Sequence, residues 1–322
     1  MALDVDTLLD RRRQTRRIAF WRALAFLLVL GAVAVAVLTL VRPTAPHVAR
    51  LPINGAIVSD RPLVQLIERL GEDDGVAGIL VAIDSPGGTT VGGERLYDAL
   101  RDLAARKPVV AHINTLGASA AYMTALASDH IVAHRTSLTG SIGVLIQFGQ
   151  INELLDDLGI TVTKVDTGPL KAEPNPFEPV DPAAIDMLQG VVNDTYAWFL
   201  SLVVERRDIP EPEARRLADG RIFTGHQALE ARLIDALGGE DQAIAWLVEE
   251  RNVPRGLPVR TYKARSGADL PFTARMADHV LDRIFAAIGM SLPPLRPVGS
   301  VDGLWSVWHA SFSSDIKVKK ND

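Results

Sequence analysis

The reading of the fold turns on Gly75–Asp84 (GVAGILVAID) and on Ser85-Pro86-Gly87-Gly88, which breaks it. The run is apolar on every side and ends at a turn signal, the pattern of a strand buried on both faces. Gly93–Ala105 then continues as a helix. The same unit recurs downstream: Pro108–Asn114 (PVVAHIN) reads as a second buried strand, Thr115–Ala118 as a turn, and Ser119–Ala127 as an Ala-rich helix. Strands alternating with helices predict an α/β sheet layered with helices.

Working outward, a strand is expected over Leu51–Val58 and a helix over Arg61–Leu70. Short strands follow near His130–His134 and Ser141–Phe148, then a helix over Ile151–Leu158 and a strand over Thr161–Val165. Asp166–Pro179 is a Pro/Gly-rich loop. Asp181 has the place of an N-cap for a long helix reaching about Arg207. Further helices are expected over Pro210–Ala218, Thr224–Ala231 and Glu240–Arg251, a strand over Leu257–Ala264, and an amphipathic helix over Pro271–Gly289. Ile316–Asp322 reads as a solvated tail.

The chain has 322 residues and is 48% hydrophobic, enough for a sizeable core and too apolar for a disordered protein. Its net charge of −5 speaks against a broad nucleic-acid surface. With no cysteine, thiol catalysis, disulfides, Cys-ligated zinc and iron–sulfur clusters are excluded.

The N-terminus is patterned differently. Arg11-Arg12-Arg13-Gln14-Thr15-Arg16-Arg17 precedes an uncharged run from Ala23 to Val41, about 28 Å of helix and close to the thickness of a bilayer core. Trp21 and Arg22 stand where an interfacial aromatic and a snorkelling cation belong. Six arginines lie before or at the start of the run, and only Arg42 and Arg50 just after it. The positive-inside rule therefore places the N-terminus in the cytoplasm and the rest outside. Cleavable signal sequences have shorter apolar regions, so an uncleaved anchor is expected. The expected organisation is a cytoplasmic tail (1–17), a transmembrane signal anchor (18–41), a linker (42–50), one catalytic-sized domain (51–252) and a C-terminal extension (253–322).

Two glycine-rich turns follow two buried strands, the place where α/β folds bind ligands. At Asp84-Ser85-Pro86-Gly87-Gly88 adjacent glycines let the backbone approach a ligand with its N–H groups. This is neither a Walker A motif nor GxGxxG. In Leu116-Gly117-Ala118-Ser119-Ala120-Ala121-Tyr122 a serine stands at a strand–turn–helix junction among small residues, as in a nucleophile elbow, although G-x-S-x-A replaces G-x-S-x-G. A helix N-cap is the plainer reading of Ser119. A nucleophilic serine needs a base. None of the seven histidines has the setting of a triad histidine; His112, His130 and His134 read as core residues or as metal ligands lacking a third partner. Of seven lysines, Lys171 is placed best, alone in the rigid loop Thr167-Gly168-Pro169-Leu170-Lys171-Ala172-Glu173-Pro174. A desolvated lysine loses its proton near neutral pH and serves as a general base; a solvated surface lysine is the alternative.

Taken together, these motifs resemble the signal peptide peptidase A family in its short form, within serine peptidase family S49. The resemblance runs from about Leu51 to Val248. It rests on Asp84-Ser85-Pro86-Gly87-Gly88, Ala118-Ser119-Ala120-Ala121-Tyr122, Leu138-Thr139-Gly140-Ser141-Ile142-Gly143-Val144, Lys171 with Pro176-Phe177, and Gly220-Arg221-Ile222-Phe223-Thr224-Gly225. Five motifs in order are far more specific than any one of them.

The resemblance implies a Clp protease/crotonase-like fold of layered sheets and helices behind one transmembrane helix. It implies Ser119 as nucleophile and Lys171 as general base, with Ser141 orienting the lysine and the Gly88 and Ala120 amides as oxyanion hole. No metal and no cofactor are implied. The implied partners are peptide substrates (cleaved signal peptides or other unfolded apolar segments), the membrane and further copies of the chain in a ring, with dyads closing between protomers. The implied location is the bacterial cytoplasmic membrane, catalytic domain outside. Two departures stand out: Ala120 and Ala121 replace glycines common after the nucleophile and are expected to narrow the site, and Pro169-Leu170 replaces a tyrosine common before the lysine. Acyl-CoA chemistry on the same fold, or an inactive membrane scaffold, are the competing functions; the expected extracytoplasmic location opposes the first and the intact Ser119, Ser141 and Lys171 the second.

Overall fold

A computed structural model describes residues 20–22, 24–31, 45–264 and 305–307. The helix expected over Pro271–Gly289, the tail Ile316–Asp322 and much of the expected membrane span lie outside the described residues. Residues 20–22 and 24–31 are helical. Among the described residues no helix is long and apolar enough to cross a membrane.

The described residues from Pro46 onward belong to one compact unit. Its strands are β1 (His47–Asn54), β2 (Val76–Ser85), β3 (Gly87–Thr89), β4 (Val109–Ala118), β5 (His130–Ala133), β6 (Leu138–Gly140), β7 (Ile222–Thr224), β8 (Ala236–Leu237), β9 (Val259–Thr261) and β10 (Trp305–Val307). The helices are α1 (Arg61–Glu72), α2 (Thr90–Ala104), α3 (Ala120–Leu126), α4 (Asn152–Asp157), α5 (Pro182–Arg207), α6 (Glu211–Leu217), α7 (Gly225–Glu230) and α8 (Glu240–Glu250).

The main sheet runs β7-β6-β4-β2-β1-β9, with β5 and then β8 branching from β4. Its centre is parallel, and alternation along the strands divides the side chains between two layers. Ile79, Val81 and Ile83 of β2, with Val109, Ala111 and Ile113 of β4, join the core that also includes residues of α1, α2, α3 and α5. Leu80, Val110, Val132 and Val48 face the other way, against Ala243 and Leu247 of α8. Both layers bury apolar area, so the continuous apolar runs follow from burial on two sides.

Local signals set the helix starts. The Asp60 carboxylate accepts from Leu63 N–H and Pro62 stands in the first turn of α1; Asp181 accepts from Ala183 N–H at the start of α5. At the far end of α5, Arg206 donates to the carbonyls of Leu126, the last residue of α3, and Ser128 just beyond it, tying the long helix to the short one.

The structure moves several expected boundaries. β1 begins at His47, inside the expected linker, and β9 pairs with it from within the expected extension. Thr115–Ala118 is not a turn: β4 continues to Ala118, held by Ser85 opposite Gly117 and by the pairing of Leu116 with Leu138. Ser141–Phe148 does not form the expected strand; β6 lies just before it. Nor is Thr161–Val165 a strand. Its β-branched residues find no sheet edge, and Val165 is 95% exposed.

Candidate functional site

The site grows from the fork in the sheet. β4 pairs with β5 through Val110–Ile113, then parts from it and pairs with β6 through Leu116–Ala118. Ala118 lies opposite Gly140, so Ser119 and Ser141 are the next residues beyond two aligned strand ends. The Ser119 N–H donates to the Gly140 carbonyl at 2.8 Å, and the Ser141 N–H donates to the Arg221 carbonyl at 2.8 Å. The Gly220–Gly225 motif thus supports Ser141 through its backbone. Thr139 Oγ1 donates to the Gly117 carbonyl at 2.7 Å, a further tie across the fork that the sequence reading missed.

Ser119 has φ 59° and ψ −121°, a region costly for a residue with a side chain. It occupies the N-cap position of α3, yet its hydroxyl makes no cap hydrogen bond. It is 2% exposed. A strained serine on a sharp strand-to-helix turn is the geometry of a nucleophile elbow. Tight packing holds the turn. A Cβ on Gly117 would lie 2.8 Å from Ile113 Cγ2, and one on Gly93 would lie 3.1 Å from the Ala120 Cβ and 3.0 Å from Met123 Sδ. The Ala120 methyl therefore sits in the α2–α3 contact, matched by a glycine on α2. That position corrects the expectation that this methyl narrows the site. Tyr122, also fully buried, donates to the Leu233 carbonyl at 2.7 Å and pins the base of the helix. Burial raises its pKa, keeping the phenol a neutral donor.

The first glycine turn packs against α3. Ser85 Oγ accepts from Gly87 N–H at 3.1 Å, and Gly87 has φ 103°. A Cβ on Gly88 would stand 1.8 Å from the Ile57 carbonyl oxygen, so only glycine fits. The Ile57 N–H donates to the Gly87 carbonyl and the Thr89 N–H to the Ile57 carbonyl, each at 2.8 Å. Both bonds lie on one edge of β3.

Lys171 lies elsewhere in kind. It is exposed, on a turn closed by its own N–H to the Gly168 carbonyl at 2.9 Å. The loop that carries it is gathered by Lys164, which the sequence placed in a strand. Lys164 Nζ bridges Asp166 and Glu178 at 3.3 Å each and also pairs with Glu173. Asn175 donates to Glu173 and Glu178 at 3.0 Å. The hydrogen bond that Lys164 donates to Glu173 raises the Lys164 pKa, and the same bond lowers that of Glu173. The clue in the sequence was a single cation beside an acidic loop.

Two of the candidate histidines pack against aromatic rings. His112 is buried with its ring edge-on to His134 at 4.9 Å, and His130 stacks on Trp246 at 4.7 Å. Among the described residues no group of three potential metal ligands converges.

An α/β sheet forked around a strained, buried serine, with a glycine strand beside it, defines a nucleophile-elbow protein. The sequence profile of peptidase family S49 matches residues 101–254. A provisionally named protease of Methanocaldococcus jannaschii is 36% identical over 193 residues, covering 60% of this chain and 62% of its own. A provisionally named protease of Synechocystis is 35% identical over 204 residues, covering 63% and 74%. The chloroplastic serine protease SPPA of Arabidopsis thaliana is 29% identical over 226 residues, covering 69% of this chain but 33% of its own. The chain belongs to peptidase family S49.

Proposed function

We propose that the chain is a membrane-anchored serine endopeptidase that cleaves unfolded apolar peptides, residual signal peptides among them, outside the cytoplasmic membrane. The observation that carries this reading is Ser119 itself: buried, at φ 59°, beyond the end of β4 and beside Gly140-Ser141. In the proposed reaction Lys171 takes the Ser119 proton, and Oγ attacks the scissile carbonyl. The oxyanion rests on the Gly88 and Ala120 amides, the leaving amine takes the proton, and water then releases the acyl group. One such donor contributes about 2.7–4 kcal/mol to the transition state. Ser141 holds the lysine amine. No metal or organic cofactor takes part in this reading.

Lys171 must lose water to act as a base. In the single chain it is exposed, and the stretch around it carries Leu154, Leu158, Val165 and Phe177 exposed as well. A second copy seated on this apolar stretch would cover these residues and dry the lysine, which supports a homo-oligomeric ring with dyads shared between neighbours. The anchor reading draws on the uncharged run Ala23–Val41, and on Phe26, Leu27 and Leu28 exposed along the helical part of it.

Labelling with a fluorophosphonate, located by mass spectrometry, tests the nucleophile. The label is expected on Ser119 in the wild type, absent in Ser119→Ala, and much slowed in Lys171→Ala. Label on another serine, or equal labelling in Lys171→Ala, would overturn the assignment.

A further inference from the structure

β3 has two edges, and the structure fills both. One edge bonds Ile57 through the Gly87 carbonyl and the Thr89 N–H. Peptide groups alternate along a strand, so the N–H and carbonyl of Gly88 face the opposite edge. That edge is occupied by β10, a strand from the far C-terminal part of the same chain. It runs antiparallel, with Trp305 opposite Thr89, Ser306 opposite Gly88 and Val307 opposite Gly87. The amide assigned to the oxyanion hole is therefore turned toward the backbone of Ser306.

The sequence around β10 has the chemistry of the proposed substrate. Residues 303–314 (GLWSVWHASFSS) contain no Asp, Glu, Lys or Arg, and are rich in aromatic and apolar residues. A strand added to an exposed sheet edge through main-chain hydrogen bonds is a general way to bind an extended peptide, and an incoming peptide meets the same edge.

We propose that the C-terminal segment around Trp305–Val307 is a built-in competitor for the substrate edge of β3, docking there when no substrate is bound and leaving when one arrives. The competition, though not the docking, rests on the reading of Gly88 as an oxyanion donor. The segment is part of the chain, so its local concentration is fixed by the tether and does not fall on dilution. Such an arrangement masks the site from weakly binding chains and yields to peptides that form a better strand.

The test uses the full-length protein with two substitutions at one position. Ser306→Ala keeps the backbone N–H; Ser306→Pro removes it and disfavours the paired strand. Amide hydrogen exchange at Gly88, the one β3 amide turned to β10, reports docking, and peptide hydrolysis reports competition. Ser306→Ala is expected to match the wild type in both. Ser306→Pro is expected to speed exchange at Gly88 with exchange at Thr89, in β2 and in β4 unchanged, and to lower KM roughly fivefold at constant kcat, the size of one lost strand hydrogen bond. Unchanged exchange in Ser306→Pro would overturn the docking. Faster exchange with unchanged KM would overturn the competition. Wild-type exchange that quickens on dilution would assign the strand to another copy and overturn the intramolecular form. If neither the wild type nor either variant hydrolyses peptides, the peptidase reading fails, and exchange alone then decides the docking.

Discussion

The strands between His47 and Gly140 and the stretch between Leu145 and Val191 use their apolar residues in opposite ways. In the first region Ile79, Val81, Ile113 and their neighbours are fully buried, and the sheet is covered on both faces. In the second, Leu154, Leu158 and Ile160 face solvent, and Ile185, Met187 and Val191 extend the exposed apolar surface along the N-terminal half of α5. Yet α5 buries Phe199, Leu200 and Val203 at its other end. One region completes its own fold; the other leaves its apolar side chains exposed, where the proposed assembly would cover them. The proposed nucleophile belongs to the first and the proposed base to the second. A dyad divided this way is rigid at the serine and depends on assembly at the lysine.

Breaking the first region has the largest expected effect. Gly88→Ala forces a methyl into the Ile57 carbonyl, displacing the strand that carries the proposed oxyanion donor. Peptide hydrolysis is expected to fall by about 10²–10³-fold or more in kcat, measured beside the wild type on a fluorogenic peptide. Gly93→Ala crowds Ala120 and Met123 and is expected to cost about 1–3 kcal/mol in urea unfolding.

Acid tests the same region by another route. Burial holds the His112 pKa below the ordinary histidine value, and His134 adds to that, while Glu240 opposes it. The buried ring is therefore neutral when folded. Its stabilising contribution is complete above the unfolded value of about 6.5 and is lost as pH falls below it. The urea midpoint should drop between about pH 7.5 and about pH 5.5, and His112→Leu should flatten the part of that drop that comes from this ring.

The second region should respond in assembly instead of stability. Leu158→Asp changes an exposed side chain, so single-chain stability should move by less than about 0.5 kcal/mol. Sedimentation of the detergent-solubilised protein should nevertheless show smaller assemblies than the wild type. Unchanged assembly would remove the case for a partner on this surface.

The same contrast explains what could be read from the sequence. β2, α1 and the capped start of α5 were legible because periodicity, Asp60, Asp181 and the prolines act locally. The end of β4 was not, because Gly117 reads as a turn until Ser85 and Leu138 pair on either side of it. The short strands β3, β7 and β8 were missed for the same reason: distant chain defines them. Thr161–Val165 has strand composition and no edge to join. The sharp strand-to-helix turn at Ser119 was legible from its small neighbours, but the role of Gly93 in accepting the Ala120 methyl required the packing of two helices. Lys164 looked like a strand residue because its carboxylate partners lie up to 14 positions along the chain.

The central claim is that Ser119 and Lys171 act as one catalytic pair. The most direct measurement is hydrolysis of a fluorogenic apolar peptide by the full-length protein, wild type beside Ser119→Ala and Lys171→Ala, from about pH 6 to about pH 10. The account predicts an alkaline rise in the wild-type rate and losses of about 10⁴-fold or more in both variants. Hydrolysis that survives in Lys171→Ala while vanishing in Ser119→Ala would contradict it and place the base elsewhere.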